Sequence, residues 1–361
     1  MKKKTAALLM TAAMTVAALG GCGNADKAGE NVSSGTEEST VGTTETDAAD
    51  GAVYKVGIVR FVDDASLNQI EAAIEKELDA KAAELGVTFN YGDYTYNGQA
   101  DSTVLNQIAS ELVASEVDVI VPIATPAAMI MQNATEENQI PVVFSAVSDP
   151  VGAGLVAGMD APGSNITGTS DALNTDAVMD LIFAVDPDVK TVGLLYNKSE
   201  DASKEPVEAA KAYCEAKGVN VIEKTGTTND EISLAADALI AGGAEAVFTP
   251  TDNTVMTAEL AIYEKFIEAG VPHYGGADSF ALNGAFLGYG VNYEELGTAT
   301  ADMIVEILVN GADPAATAVV TLDNGIATVN TETAEAIGLD YSMFADMCTA
   351  LKEIVTAEEF E

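Results

Sequence analysis

Short apolar runs and helically spaced apolar residues alternate in two long series along this chain, and that alternation limits the fold more than any other feature. Val56-Gly57-Ile58-Val59 reads as a buried strand, and Leu67, Ile70, Ile74, Leu78 and Leu85 come next at helical spacing. Residues 87–91 are strand-like, Leu105, Ile108, Leu112 and Val113 mark a helix, and residues 117–123 form the next strand. Thr125-Pro126 opens a further helix, with Thr125 expected as N-cap and Pro126 in the first turn, where its missing N–H costs nothing. Residues 140–144 close the series, and after a Gly-rich stretch the pattern restarts. Strands are expected at 191–196, 219–223, 246–249 and 271–274, and helices at 179–185, 206–217, 234–240 and 256–267. Two such series predict an α/β chain of two doubly wound, Rossmann-like lobes with mainly parallel sheets.

The 361 residues suit two lobes of ordinary size with some tail. The residues after Tyr274 hold too few elements for a third core, so they are expected to return and complete both lobes through a multi-strand hinge. The expected division is 53–168 with 284–310 for the first lobe and 169–283 with 311–340 for the second. Residues 341–361 are expected as a C-terminal helix, from the stripe Phe344, Met347, Leu351 and Ile354.

The N-terminus carries an address. Lys2-Lys3-Lys4, an apolar run to Leu19 and Gly20-Gly21 form an export signal over residues 1–21, too short for a comfortable membrane span. Cys22 after Leu19-Gly20-Gly21 resembles the bacterial lipobox, in which the Cys receives lipid and becomes the first mature residue. Residues 22–52 lack aromatic, Leu and Ile residues and are rich in Ser, Thr, Gly and acids, so they are expected as a flexible tether. The expected location is the extracytoplasmic face of a cell membrane, reached through the lipid.

Charge excludes one class of partner. With 16 Lys and Arg against 57 Asp and Glu, the formal charge of −41 repels a phosphate backbone, so no nucleic acid is expected. One His and three Cys are too few for a His-rich metal site or a Cys-cage zinc fold, and no cofactor is implied. Gly152, Gly154 and Gly158 do not match the dinucleotide fingerprint, and no nucleophile elbow or Cys–His pair offers a catalytic site. His273 reads as structural. Cys214 and Cys348 could pair in an exported protein, although sequence does not show whether they meet. Tyr91, Tyr94 and Tyr96 read as strand-edge packing, with a ring stacked on a ligand as the alternative.

In open α/β sheets, ligands bind beyond the carboxyl ends of strands, where helix N-termini offer free N–H groups. Five polar segments occupy such positions and supply the candidate ligand contacts: Thr125, Pro126 and Ala127; Ser145, Ser148 and Asp149; Asn197 and Glu200; Asp252, Asn253 and Thr254; and Asp278. Hydroxyls and amides suit a carboxylate, and Asp, Glu and Asn oxygens suit an ammonium, which is an amino-acid-shaped set. The same residue types also cap helices after strands in any α/β protein.

Ile123 to Ala128, Pro141 to Val156, Pro162 to Gly168 and Pro250 to Val255 resemble the ABC-transporter substrate-binding lipoproteins of the tryptophan/tyrosine-binding type, over about Val56 to Leu339. The resemblance implies a type I periplasmic-binding-protein fold whose two lobes close on a small ligand, with hydrophobic or aromatic amino acids as the expected class. It further implies delivery to an ABC permease with a cytoplasmic ATPase; a monomer is expected. It directs the ligand carboxylate to Thr125, Ser145 and nearby helix-start amides, and the ammonium to Asp252 or Asp278. One segment departs, since Asp64-Ala65-Ser66-Leu67 stands where the family often has His-Pro-Ala-Leu. A ligand sensor without transport, and an enzyme acting in the cleft, are the alternative readings.

Overall fold

The computed structural model describes residues 51–322 and 325–360; the expected export signal, Cys22 and nearly all of the expected tether lie outside them. The first lobe is built from β1 (Val53–Arg60), α1 (Ala65–Leu85), β2 (Thr88–Asn90), β3 (Thr95–Asn97), α2 (Ser102–Ala114), β4 (Val119–Ile123), α3 (Thr125–Thr135), β5 (Val142–Phe144) and β6 (Ile166–Ser170). The second takes α4 (Thr175–Val185), β7 (Thr191–Tyr196), α5 (Lys204–Lys217), β8 (Asn220–Thr225), α6 (Asn229–Ala241), β9 (Ala246–Thr249), α7 (Asn253–Ala269), β10 (His273–Gly275), α8 (Asp278–Leu282) and β11 (Leu287–Gly290). The chain then returns with α9 (Tyr293–Leu308) and β12 (Val320–Thr321). It ends in β13 (Ile326–Asn330), α10 (Thr331–Ile337), α11 (Phe344–Met347) and β14 (Ala350–Ile354).

Two seven-stranded sheets result. The first runs β12-β6-β5-β4-β1-β2, with β3 also paired to β1, and the second runs β14-β13-β11-β10-β9-β7-β8. Every pair is parallel except β11 with β13. Central strands such as β4 are buried along their whole length, because helices cover both faces of a parallel sheet and leave no wet side. A continuous apolar cluster holds Ile70, Ile74 and Leu296 from α1 and α9 together with Ile262 and Phe266 from α7. His273 sits inside the second lobe, its Nε2 2.8 Å from Thr249 Oγ1 and its Nδ1 2.9 Å from Glu259 Oε1, as a structural residue.

Three connections cross between the lobes, from β6 to α4, from β11 to α9 and from β12 to β13. Two expected boundaries therefore move. The strand at 287–290 pairs β10 and β13 and so belongs to the second sheet, not with the 284–310 stretch expected in the first lobe. Residues 320–321 pair β6 and so complete the first sheet, although 311–340 is expected in the second lobe. Helix α9 packs on α1, β5 and β6.

The expected terminal helix over 341–361 is corrected to one turn, α11, followed by strand β14 on the open edge of β13. Pairing satisfies the backbone groups of both edges, which outweighs a modest local helical pattern. Cys214 and Cys348 are free thiols. Among the described residues, no helix is long and apolar enough to cross a membrane.

Candidate functional site

The carboxyl ends of the two sheets meet at a narrow cleft with about 10 Å³ of water-accessible space. The first lobe lines it with Ser66 and Leu67 from α1, Ala124 and Thr125 at the β4–α3 junction, Ala146 and Ser148 after β5, and Asp171 after β6. The second lobe adds Ala202, Thr251, Asn253 and Met256, and Tyr293 enters at the start of α9. Among the described residues, no Lys or Arg lines this space.

Local geometry aims polar groups into it. The residue capping α3 is Ala124, with φ 83°, so Thr125 is the first helical residue and not the expected N-cap. Its hydroxyl is thereby freed from capping, and Thr125 Oγ1 is buried without a hydrogen-bond partner. The first-turn N–H groups of α3 also lack intrahelical acceptors, leaving a positive pole beside that hydroxyl. Ala146 has φ 53°, and a non-glycine residue in the left-handed region costs about 1–3 kcal/mol, strain of the kind that gathers at binding sites. At the end of β6 in the same sheet, Asp171 is almost fully buried, and Ser148 Oγ donates to its Oδ1 at 3.0 Å.

The structure separates the expected contacts into two sets. Thr125, Ser148 and Asn253 line the cleft, while Pro126 and Ala127 lie behind Thr125 in the first turn of α3. The remaining candidates are occupied by the fold. Ser145 Oγ lies 2.8 Å from Thr300 Oγ1 and 3.2 Å from Thr169 Oγ1, tying β5 and β6 to α9. Asp149 accepts from Gly152 N–H at 2.7 Å within its own loop. Asn197 accepts from Ser199 N–H and donates to Thr254 Oγ1. Glu200 accepts from Asn253 N–H and Nδ2 and from Thr254 N–H and Oγ1, all at 2.8–3.0 Å. Asp252 caps α7 through Val255 N–H and also accepts from Asn197 N–H and Ser203 Oγ.

Asp252 is therefore corrected from ammonium partner to helix cap, since its oxygens already hold three donors and it is fully buried. Asp278 is likewise engaged, by Ser66 Oγ and Gln69 Nε2. The hydroxyls of Tyr91 and Tyr96 bond Asp79 and Glu111, away from the cleft. Sequence reasoning misses Ser66, Asp171, Met256 and Tyr293. For Asp171 a signal existed, because it directly follows a strand, but Ile166-Thr167-Gly168-Thr169-Ser170 is too polar to read as one.

Burial dominates the electrostatics. It pushes the Asp171 carboxyl up to about 6, with the Ser148 hydrogen bond opposing, and it pushes Asp64 up to about 6 as well. Asp252 is raised by burial and then by the neighbouring Glu200 charge. A carboxyl whose folded pKa lies above its unfolded value binds more protons when folded. Its contribution to stability is complete below about 4 and is lost as pH rises through the folded value. The thermal midpoint followed by circular dichroism is accordingly expected to be higher at pH 5 than at pH 7.5. A midpoint that rises across this interval would contradict the burial of these acids.

Two parallel-sheet lobes that hold a polar, partly aromatic cleft between their strand ends define a binder of small solutes. Residues 55–343 match the family described as ABC transporter substrate binding protein, and the chain belongs to that family. It is 30% identical over 338 residues to a tyrosine-binding protein of Clostridioides difficile, spanning 93% of both chains. Among solved structures, it resembles a Streptococcus pneumoniae ABC domain in complex with L-Trp, at 31% identity and TM-score 0.76, over 83% of this chain and 100% of that one. The ligand-free, open structure of a Clostridium difficile substrate-binding protein with adhesive properties gives TM-score 0.64 at the same 31% identity, over 84% of this chain and 100% of that one.

Proposed function

We propose that this protein is the extracytoplasmic receptor of an ABC importer and that its cargo is an aromatic amino acid. The observation that carries the reading is the pair of polar subsites on the first lobe's side of the cleft. Buried Asp171 answers an ammonium, and the free Thr125 hydroxyl with the first turn of α3 answers a carboxylate. Leu67, Met256 and Tyr293 supply apolar and aromatic surface for the side chain. The tyrosine-binding relative and the L-Trp complex support this cargo class. A ligand touching both lobes stabilises only the closed arrangement, and so presents a closed receptor to the permease without chemical conversion of the cargo. Lipid on Cys22 would hold a monomeric receptor at the membrane.

The test is a thermal-shift titration of protein refolded to strip bound solute, against the twenty amino acids, nucleosides and small sugars. A ligand at 100 times its Kd adds about 2.7 kcal/mol of stability, so a selective shift with tryptophan, tyrosine or phenylalanine is expected. The protein has no Trp, so bound tryptophan reports itself by fluorescence. A shift confined to sugars or nucleosides would overturn the amino-acid assignment.

A further inference from the structure

Asp64 opens α1 in the first lobe, Asp278 opens α8 in the second, and the two helix starts meet across the lobe boundary. Ser66 Oγ donates to Asp278 Oδ1 at 2.6 Å, Gln69 Nε2 donates to Oδ2 at 3.3 Å, and Ser279 N–H donates to Ser66 Oγ at 3.2 Å. The buried Ser279 hydroxyl lies beside Asp64 and acts to lower its pKa. Both carboxyls are less than a tenth exposed, and neither forms an ion pair. Asp64 and Ser66 are also the polar residues by which this segment departs from His-Pro-Ala-Leu.

We propose that this contact is an inter-lobe latch whose carboxyl pair closes with a bound proton, so that closure of the cleft takes up hydrogen ions. Opening the lobes separates α1 from α8 and returns both acids to water, whereas closing them buries two like charges together. Ser66 N–H and Leu67 N–H cap α1 on Asp64 Oδ1 at 2.9 and 3.3 Å and offset part of that charge, but burial outweighs them. Asp63, Glu358 and Glu359 border the same side, and Tyr293 of α9 lies near Asp64, Asp171 and Asp278. Lys352 on β14 is the cation that acts on Asp278, and burial outweighs it. In this structure, where the two helix starts touch, burial raises Asp64 to about 6 and Asp278 in the same direction. A carboxyl near 4 when open and near 6 when closed tightens binding about fourfold between pH 7.5 and 5.5, and takes up about half a proton per closure at pH 6.

The test does not require the cargo reading to be right. On the full chain, calorimetric titration with L-tryptophan and L-tyrosine at pH 6, in two buffers of different ionisation enthalpy, is expected to show that proton uptake. Small-angle scattering of the unliganded protein is expected to show compaction from pH 7.5 to 5.5. Asp64→Asn keeps an N-cap for α1 and should abolish both effects. Asp278→Asn is the second variant, should the first not fold. If neither amino acid binds but acid still compacts the wild type and not the variant, the latch stands and the cargo assignment falls. Binding without proton uptake, or pH dependence retained in the variants, would overturn the latch.

Discussion

Asp171→Ala is expected to weaken binding of the amino-acid cargo by about 2–5 kcal/mol, roughly 30-fold to several-thousand-fold in Kd, while leaving the folded state at least as stable. The loss comes from the buried position of the carboxyl and from the absence of Lys and Arg among the described residues along the cleft. An ammonium that leaves water for this site has Asp171 as its charged partner, and truncation leaves it desolvated and uncompensated. Stability should move the other way because the carboxyl itself is held at a cost, which is why burial lifts it to about 6. Ser148 loses its acceptor, a smaller penalty of about 1 kcal/mol. Titration calorimetry and thermal unfolding at pH 7.5 separate the two quantities. Affinity within twofold of wild type would remove Asp171 from the ammonium subsite.

The sequence and the structure agree where one local signal decides the outcome. Contiguous, β-branched-rich apolar residues such as 119–123, short and bounded by turn signals, suit a strand buried on both faces, and Gly86 and Gly270, at φ 70° and 68°, end α1 and α7 where the apolar spacing stops. Agreement fails where the deciding partner is distant. Leu351 and Ile354 continue the spacing of Phe344 and Met347, but the free edge of β13 recruits them as a strand. The carboxylates fail for a related reason. A helix cap and a ligand anchor have the same residue type at the same place after a strand, and only the N–H groups within reach distinguish Asp252 from Asp171.

Glu200→Ala supplies the converse experiment, with an expected loss of about 3 kcal/mol in folding stability. Its carboxylate receives two backbone and two side-chain donors from Asn253 and Thr254, and so closes the start of α7 from a different loop. Hydrogen bonds to a charged group contribute about 1.5–3 kcal/mol each, but four bonds to one carboxylate are not additive, and part is offset by the cost of burying the charge. The variant also removes the like charge that helps raise Asp252. Asp252 then ionises more readily, so the decline of stability with rising pH should flatten. Denaturant unfolding at pH 6 and pH 8 measures both effects, and a cost below about 1 kcal/mol would mean that Asp252 alone holds the helix start. Asn253 lines the cleft from that same first turn, so affinity should fall in Glu200→Ala only as far as the turn loosens. Glu200→Gln, which keeps the acceptor oxygen without the charge, should recover much of the stability. A variant that binds poorly and folds well marks a ligand contact, and one that folds poorly first marks the scaffold behind it.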